Sequence, residues 1–392
     1  MRGNAWAPAV LLVALVAGCG SSEAPGAERL PPGGPAPASS GTPTTAGSAP
    51  TSEEPAPART VSIVMGGDLL WHNTVWFSAA EDARRTGSGD AYDWDPMFAA
   101  LKPTIEGADL AICHSEVPFA APGQEPESYP VFAAPRSIGP WIASMGWDAC
   151  TTASNHSWDQ GFDGVVTTAD LLDAQGVAHV GTFRTPQERR KPVILTTESG
   201  VTVGIVAGTW GLNGFVPPAD EAFAVSMWDA DNLIAQAHAA REAGADVVIA
   251  HVHWGTEYVH TPDASQVALA EQLTASPDID LVLGEHAHVV QPITKVNGKW
   301  VVYGMGNQVA QNEATMADTY EGITIDFELA EQPDGGFRVV RPAYVPTQWN
   351  HYTPGDPIRI RPATGAGLAS IRQDVNLLGH NAGLVEEPLV TR

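Results

Sequence analysis

The sequence predicts an α/β domain with mixed sheets, and two patterns carry that prediction. Between residues 60 and 283, apolar strand-like runs alternate with segments of helical spacing, the order that packs helices on a sheet. Beyond residue 290 the strands arrive as a hairpin and long runs, which adds antiparallel pairing. Hydrophobic residues at 44% and aromatic residues at 7% of 392 positions supply a sizeable core, so a wholly disordered chain is excluded.

The elements follow in order. Residues 1–20 read MRGNAWAPAVLLVALVAGCG. Arg2 gives a minimal positive start, and the apolar run 10–17 is too short for a bilayer core of about 30 Å but fits a secretory signal. Val16-Ala17-Gly18-Cys19 resembles a bacterial lipobox. That implies a signal peptide over 1–19, a diacylated Cys19 and an extracytoplasmic protein anchored to the outer face of the cell membrane. An ordinary cleaved signal and a secreted protein are the alternative. Residues 20–58, almost all Ser, Gly, Pro, Ala, Thr and Glu, cannot bury enough surface to offset their ordering entropy. They read as a disordered, semi-extended tether. The folded domain is expected over 59–350.

Within it, a strand at 60–65 ends in Gly66-Gly67-Asp68. Residues 95–105 have helical spacing through Met97, Phe98, Leu101 and Ile105, and 108–113 is a strand. A short helix at 137–145 leads to a strand at 147–152. The helix at 161–175 carries Val165, Val166, Leu171 and Leu172 on its apolar face. Glu198-Ser199-Gly200 turns a hairpin between 192–197 and 201–207. A helix at 229–243, closed by Gly244, precedes a strand at 245–252, and a helix at 263–274 precedes one at 279–283. Asn297-Gly298 turns a second hairpin between 292–296 and 300–303. Strands at 322–329 and 337–344 complete the set. From 351 to 392 the pattern weakens, and an extension packing on the domain is expected.

Charge narrows the partners. Twenty Lys and Arg against 45 Asp and Glu give a net charge of −25, a field that argues against nucleic acid as a partner. Cys113 and Cys150 end two strand runs. Outside the cytoplasm they could pair, and two buried free thiols are the equal alternative.

Seven of the 12 histidines fall in five short segments, each at or just past the end of a strand run. These are Asp68-Leu69-Leu70-Trp71-His72, His114-Ser115-Glu116, Ser154 to Asp159 with Asn155 and His156, His251-Val252-His253-Trp254-Gly255, and Gly284-Glu285-His286-Ala287-His288. Singly each has a bland reading: a histidine pair on a strand face, a turn asparagine, a helix-capping aspartate. Together, at the strand ends where open α/β sheets bind ligands, they point to a metal centre. Imidazole with carboxylate and amide oxygen suits one or two divalent ions of Mn, Zn or Fe. Hydrophobic segments between the motifs favour a preformed pocket over a metal-buffering, histidine-rich coil.

The motifs also carry a resemblance. Asn155-His156-Ser157-Trp158-Asp159-Gln160-Gly161 is similar to an Asn-His-x-x-Asp-x-Gly motif, and His253-Trp254-Gly255-Thr256-Glu257-Tyr258 to His-Trp-Gly-x-Glu-Tyr. Gly284 to Pro292 follows Gly-x-His-Pro-His-Val-x-Gln-Pro with Ala287 in place of Pro, and Tyr303 to Asn307 resembles Tyr-Ser-Leu-Gly-Asn. Over residues 60–310 this resembles the CapA-type poly-γ-glutamate capsule biosynthesis proteins, within the calcineurin-like metallophosphatase superfamily. The resemblance implies a four-layer α/β/β/α sandwich with mixed sheets. It places Asp68, Glu116, Asn155, His253, His286 and His288 as metal ligands and His156 as general acid, with Asp159 beside it. His72, His114, His251, Glu257 and Asn307 are expected around the ligands.

Two departures stand out. His114-Ser115-Glu116 replaces that family's Asn-Leu-Glu. Asp68 is followed by Leu69-Leu70, where two-metal phosphatases have Asp-x-His, so one metal position is expected to lack a ligand. The resemblance implies a metal-dependent, phosphoesterase-type hydrolase acting in cell-envelope or capsule biosynthesis, on a phosphoester or an anionic polymer. The alternative is a non-catalytic assembly or export factor for poly-γ-glutamate beside a membrane synthase. Candidate cations for such a polymer are few: Arg136, Arg184, Arg189, Arg190 and Lys191.

Overall fold

The computed structural model describes residues 58–389. The expected signal, Cys19 and the tether up to residue 57 lie outside the described residues. The strands are β1 (Thr60–Leu69), β2 (Leu110–Ser115), β3 (Ala149–Thr151), β4 (Ala178–Val180), β5 (Val193–Thr196), β6 (Thr202–Thr209), β7 (Val247–His253) and β8 (Leu281–Glu285), then β9 (Ile293–Val296), β10 (Lys299–Val302), β11 (Asn307–Val309), β12 (Glu321–Glu331), β13 (Phe337–Trp349), β14 (Ile360–Pro362) and β15 (Val385–Glu386). The longer helices are α1 (Asn73–Thr86), α2 (Ile138–Met145), α3 (Gly161–Asp173), α4 (Ala230–Glu242), α5 (Ala264–Ala275) and α6 (Gly365–Val375).

One sheet runs β14-β13-β12-β1-β2-β3-β4, with β11 beside β1 and β15 beside β13; the other runs β5-β6-β7-β8-β10-β9. Pairing is parallel through β1-β2-β3-β4 and β6-β7-β8-β10 and antiparallel at β12-β13 and β9-β10, so both sheets are mixed. Alternate residues of β1 (Val61, Ile63, Met65) pack against Ile205, Ile249, Leu281 and Leu283 of the second sheet, because side chains of period two share a face. Val75 and Ala79 of α1, Ile142 of α2 and Leu172 of α3 cover the outside of the first sheet; Leu233 of α4 and Leu273 of α5 cover the second. The four layers α/β/β/α follow, as expected.

A repeated device sets the strand starts. Asp109, Asp148, Asp246 and Asp280 each stand immediately before a parallel strand. Each accepts a backbone N–H from the neighbouring strand, at Ser62 (2.8 Å), Ala111 (2.8 Å), Thr202 (3.0 Å) and Val248 (2.7 Å). Cys113 and Cys150, open in the sequence, stand opposite one another in the β2–β3 register and form a buried disulfide, Cα–Cα 4.5 Å.

Three stretches differ from expectation. The sequence reading has no helix at α1, whose core-facing Val75, Ala79 and Ala83 share the helix with polar residues and an exposed Phe77. The helix expected at 95–105 breaks into turns at Asp95–Phe98 and Lys102–Glu106, since Pro103 can neither donate an N–H nor clear the preceding carbonyl. Residues 351–389 do more than cover the domain: β14 and β15 pair with β13, and Ile371 and Val375 of α6 enter the core between the sheets.

Candidate metal centre

All five polar segments meet at the edge where β1, β2, β3, β7 and β8 end. Two glycines permit the approach. A Cβ at Gly67 would lie 2.0 Å from the Gly306 carbonyl, and one at Gly284 would lie 2.3 Å from both the Trp254 indole nitrogen and the Tyr303 carbonyl. The backbone can therefore close over the strand ends, and Asp68 pairs in register with Asn307.

The centre holds Asp68 and Glu116, both fully buried. None of their four carboxylate oxygens accepts a well-aligned hydrogen bond, the nearest donor being His288 Nδ1 at 3.1 Å from Asp68 Oδ2. Buried carboxylates without donors cost several kcal/mol each unless a cation accompanies them. Burial, followed by the charge of Asp68, pushes the Glu116 carboxyl well above its usual range.

Hydrogen bonds orient the histidines around them. Asn307 donates its Nδ2 to the Thr319 carbonyl at 3.0 Å, so its Oδ1 accepts the His288 Nδ1–H, also at 3.0 Å. That leaves Nε2 of His288 as the ligating nitrogen, 3.7 Å from Glu116 Oε1, with Nδ1 3.1 Å from Asp68 Oδ2. Burial opposes charge on this ring, but Glu116 and Asp68 outweigh it and raise His288 to about 10. A metal must displace that proton to bind. His253 donates Nε2–H to Asn155 Oδ1 at 2.7 Å, and Asn155 in turn donates to Asn213 at 3.1 Å. Burial, then the neighbouring histidines, holds His253 far below its ordinary value and His286 at about 3, so both rings are neutral, as ligands must be. The ligand atoms of His286, His288 and the exposed Glu257 lie within 4.8 Å of one another at the mouth.

His156 stands beside this cluster. Its Nδ1–H donates to Asp159 Oδ2 at 2.7 Å, and the same oxygen accepts the Phe132 N–H at 2.8 Å. The His156 ring stands edge-on to Phe132, 4.8 Å between centroids, leaving Nε2 for chemistry. His286 (φ 101°), His288 (φ 56°), Asn213 (φ 49°) and Tyr258 (φ 64°) all adopt left-handed backbone, a concentration of strain at the site. Exposed Trp210 and Tyr258 lie 5.5 and 5.9 Å from the rings of His286 and His288.

Sequence reasoning placed some residues differently. His72 joins no ligand group; its Nδ1 accepts the Gln311 N–H at 3.1 Å, and burial lowers it to about 4. His114 lies at ligating distance, grouped with Asp68 and His253. His251 sits behind it, ring centroids 4.7 Å apart, with both nitrogens unpartnered. Glu285, which the sequence reading gave no role, is buried with both oxygens donorless, and burial, then Asp68 and Glu116, pushes it well above the carboxylate range. Its signal was a carboxylate two residues after inward-facing Leu283. Among the candidate polymer cations, Arg184 is tied to Asp170, Asp173 and Glu188, and Arg189 donates to the Phe223 and Val225 carbonyls.

Residues 62–312 match the family model described as bacterial capsule synthesis protein PGA_cap. The chain is similar to the PGA biosynthesis protein CapA of Bacillus subtilis, 26% identical over 50% of this chain and 51% of that one. It is also similar to a probable polyglutamine synthesis accessory protein of Mycobacterium tuberculosis, 28% identical over 59% of this chain and 61% of that one. The matches thus span about half to three-fifths of these relatives. Among solved structures, the calcineurin-like phosphoesterase YfkN of Bacillus subtilis aligns with TM-score 0.43 and 18% identity over 74% of this chain and 91% of that one.

Proposed function

The chain belongs to the bacterial capsule synthesis protein family PGA_cap, and from that premise we propose that it is a metal-dependent, phosphoesterase-type hydrolase of the cell envelope, tethered to the outer membrane face through Cys19. One observation carries the reading: Asp68 and Glu116 are buried without donors inside a ring of neutral or displaceable imidazoles. That donor set fits Mn, Zn or Fe, with Asp68, Glu116, His253, His286 and His288 to hold the ions. When bound, a pair of such ions polarises a phosphoryl oxygen and acidifies water at neutral pH. The chain's own residues supply the rest. His156 delivers a proton to the departing oxygen from Nε2, Asp159 holds its ring in that orientation, and Trp210 and Tyr258 narrow the mouth. The Cys113–Cys150 disulfide supports an oxidising, extracytoplasmic location.

The names of the relatives favour a second reading, an accessory factor beside a poly-γ-glutamate synthase in which the metal centre serves assembly. Hydrolysis of p-nitrophenyl phosphate and its diester by the purified full chain, with metal content measured in parallel, separates the two. Wild type is expected to turn over. His288→Ala should lose metal and about 100-fold or more in rate, while His156→Gln should keep its metal and lose about 10²–10³-fold. Equal turnover by wild type and His288→Ala overturns the hydrolase.

A further inference from the structure

We propose that His114 is a metal ligand: its Nε2, with Asp68 Oδ1 and His253 Nδ1, forms an inner cation position that Asp68 bridges to the outer one at Glu116 and His288. The inference rests on the metal-centre reading above and departs from it in one respect. The position expected to lack a ligand, because Asp68 is followed by two leucines, is completed from another strand.

The tautomers argue for it. The Thr151 carbonyl can only accept, and the Thr151 hydroxyl is itself directed at the Cys113 carbonyl. His114 Nδ1 therefore carries the proton, at 3.2 and 2.9 Å from those two oxygens, and Nε2 presents a lone pair. His253 Nδ1 presents a lone pair as well, since its Nε2–H is held by Asn155. These two nitrogens face one another at 3.1 Å. Asp68 Oδ1, which has no donor, lies 3.7 Å from the first and 4.0 Å from the second. Three electron-rich atoms so placed in a buried site repel unless a cation lies among them. The triangle they form has its centre about 2.1 Å from each corner, the length of a Zn–N or Zn–O bond.

Asp68 divides its oxygens between two sets. Oδ1 faces His114 and His253, whereas Oδ2 lies 3.1 Å from His288 in the group that includes Glu116. Glu285 adds a third buried carboxylate with no donor. Asn155 then acts by fixing His253 rather than by binding metal.

The test is metal stoichiometry on the purified full chain, with Mn-loaded samples read by electron paramagnetic resonance and Zn-loaded crystals by anomalous diffraction. Wild type should hold about two ions, giving a spin-coupled Mn pair. His114→Gln keeps a side chain whose amide N–H can donate to His253 Nδ1 but lacks the imidazole; it should hold about one ion and show a single-ion signal, and His114→Asp should restore the second. Two ions and a coupled pair in His114→Gln overturn the inference while leaving the metal centre intact. No metal in folded wild type overturns the centre itself. Should the variants not fold, the anomalous map of wild type decides: a peak among Asp68, His114 and His253 supports the position, and one only at Glu116 and His288 removes it.

Discussion

The two ends of the parallel strands use the same acidic residues to opposite effect. At the amino ends Asp109, Asp148, Asp246 and Asp280 each accept a neighbouring backbone N–H; Asp246 and Asp280 are also met by Arg59 and Arg241. At the carboxyl ends Asp68, Glu116 and Glu285 bury six oxygens that accept no well-aligned hydrogen bond, and protonated His288 beside Asp68 and Glu116 is the cation at hand. Carboxylates at the first end hold strands in place. Those at the second are a cost to the metal-free chain that a cation offsets. Strand polarity alone does not separate the two; the supply of donors does.

The largest expected effect comes from breaking the second arrangement. Asp68→Asn should remove most bound metal and about 10³-fold of any metal-dependent turnover, because it takes away the carboxylate shared by two of the three ligand groups. In chelator above about pH 10, where His288 has lost its proton, the same substitution should raise stability by about 1–3 kcal/mol, since it removes a buried charge left without a cationic partner. Elemental analysis with urea unfolding in chelator checks both. A less stable metal-free Asp68→Asn protein would show that the carboxylate is satisfied without metal.

At the other end the sign reverses. Asp280→Ala strips a partner from the Val248 N–H and from Arg241, and should lower stability by about 2–3 kcal/mol with metal content unchanged. Urea midpoints at constant m-value read it. A loss of metal there would mean that the two ends are coupled through β8.

This contrast also marks how far the sequence could be read. Strand ends, the order of motifs and the mixed α/β class are visible because hydrophobic runs and polar segments are local. Glu285 stands inside Gly-x-His-x-His, where the motif leaves the position undefined, so only its burial without donors reveals it. His114 and His253 lie 139 residues apart in different sheets, and their contact depends on how the sheets face each other. The Cys113–Cys150 pair likewise follows from strand register. The four strand-leading aspartates fall inside the strand ranges read from the sequence, and only the N–H partners on neighbouring strands reveal their role.

A smaller effect sharpens the comparison from within the carboxyl-end region. His260, two residues beyond Tyr258, contacts Asp374 of α6 at 2.9 Å and Asp318 at 3.4 Å, and so ties the loop after β7 to the C-terminal helix. The Asp374 hydrogen bond, against partial burial, raises His260 to about 9. A ring whose folded value exceeds its unfolded one contributes stability that is complete below about pH 6.5 and is lost as pH rises through about 9. His260→Gln should therefore cost about 1–2 kcal/mol at pH 6, discounted for partial exposure, and almost nothing at pH 10. Unfolding of both proteins in chelator at the two pH values measures the difference. A deficit that persists at pH 10 would assign the effect to packing, whereas its disappearance would show that a carboxylate near the site, once given a cationic partner, stabilises as those at the amino ends do.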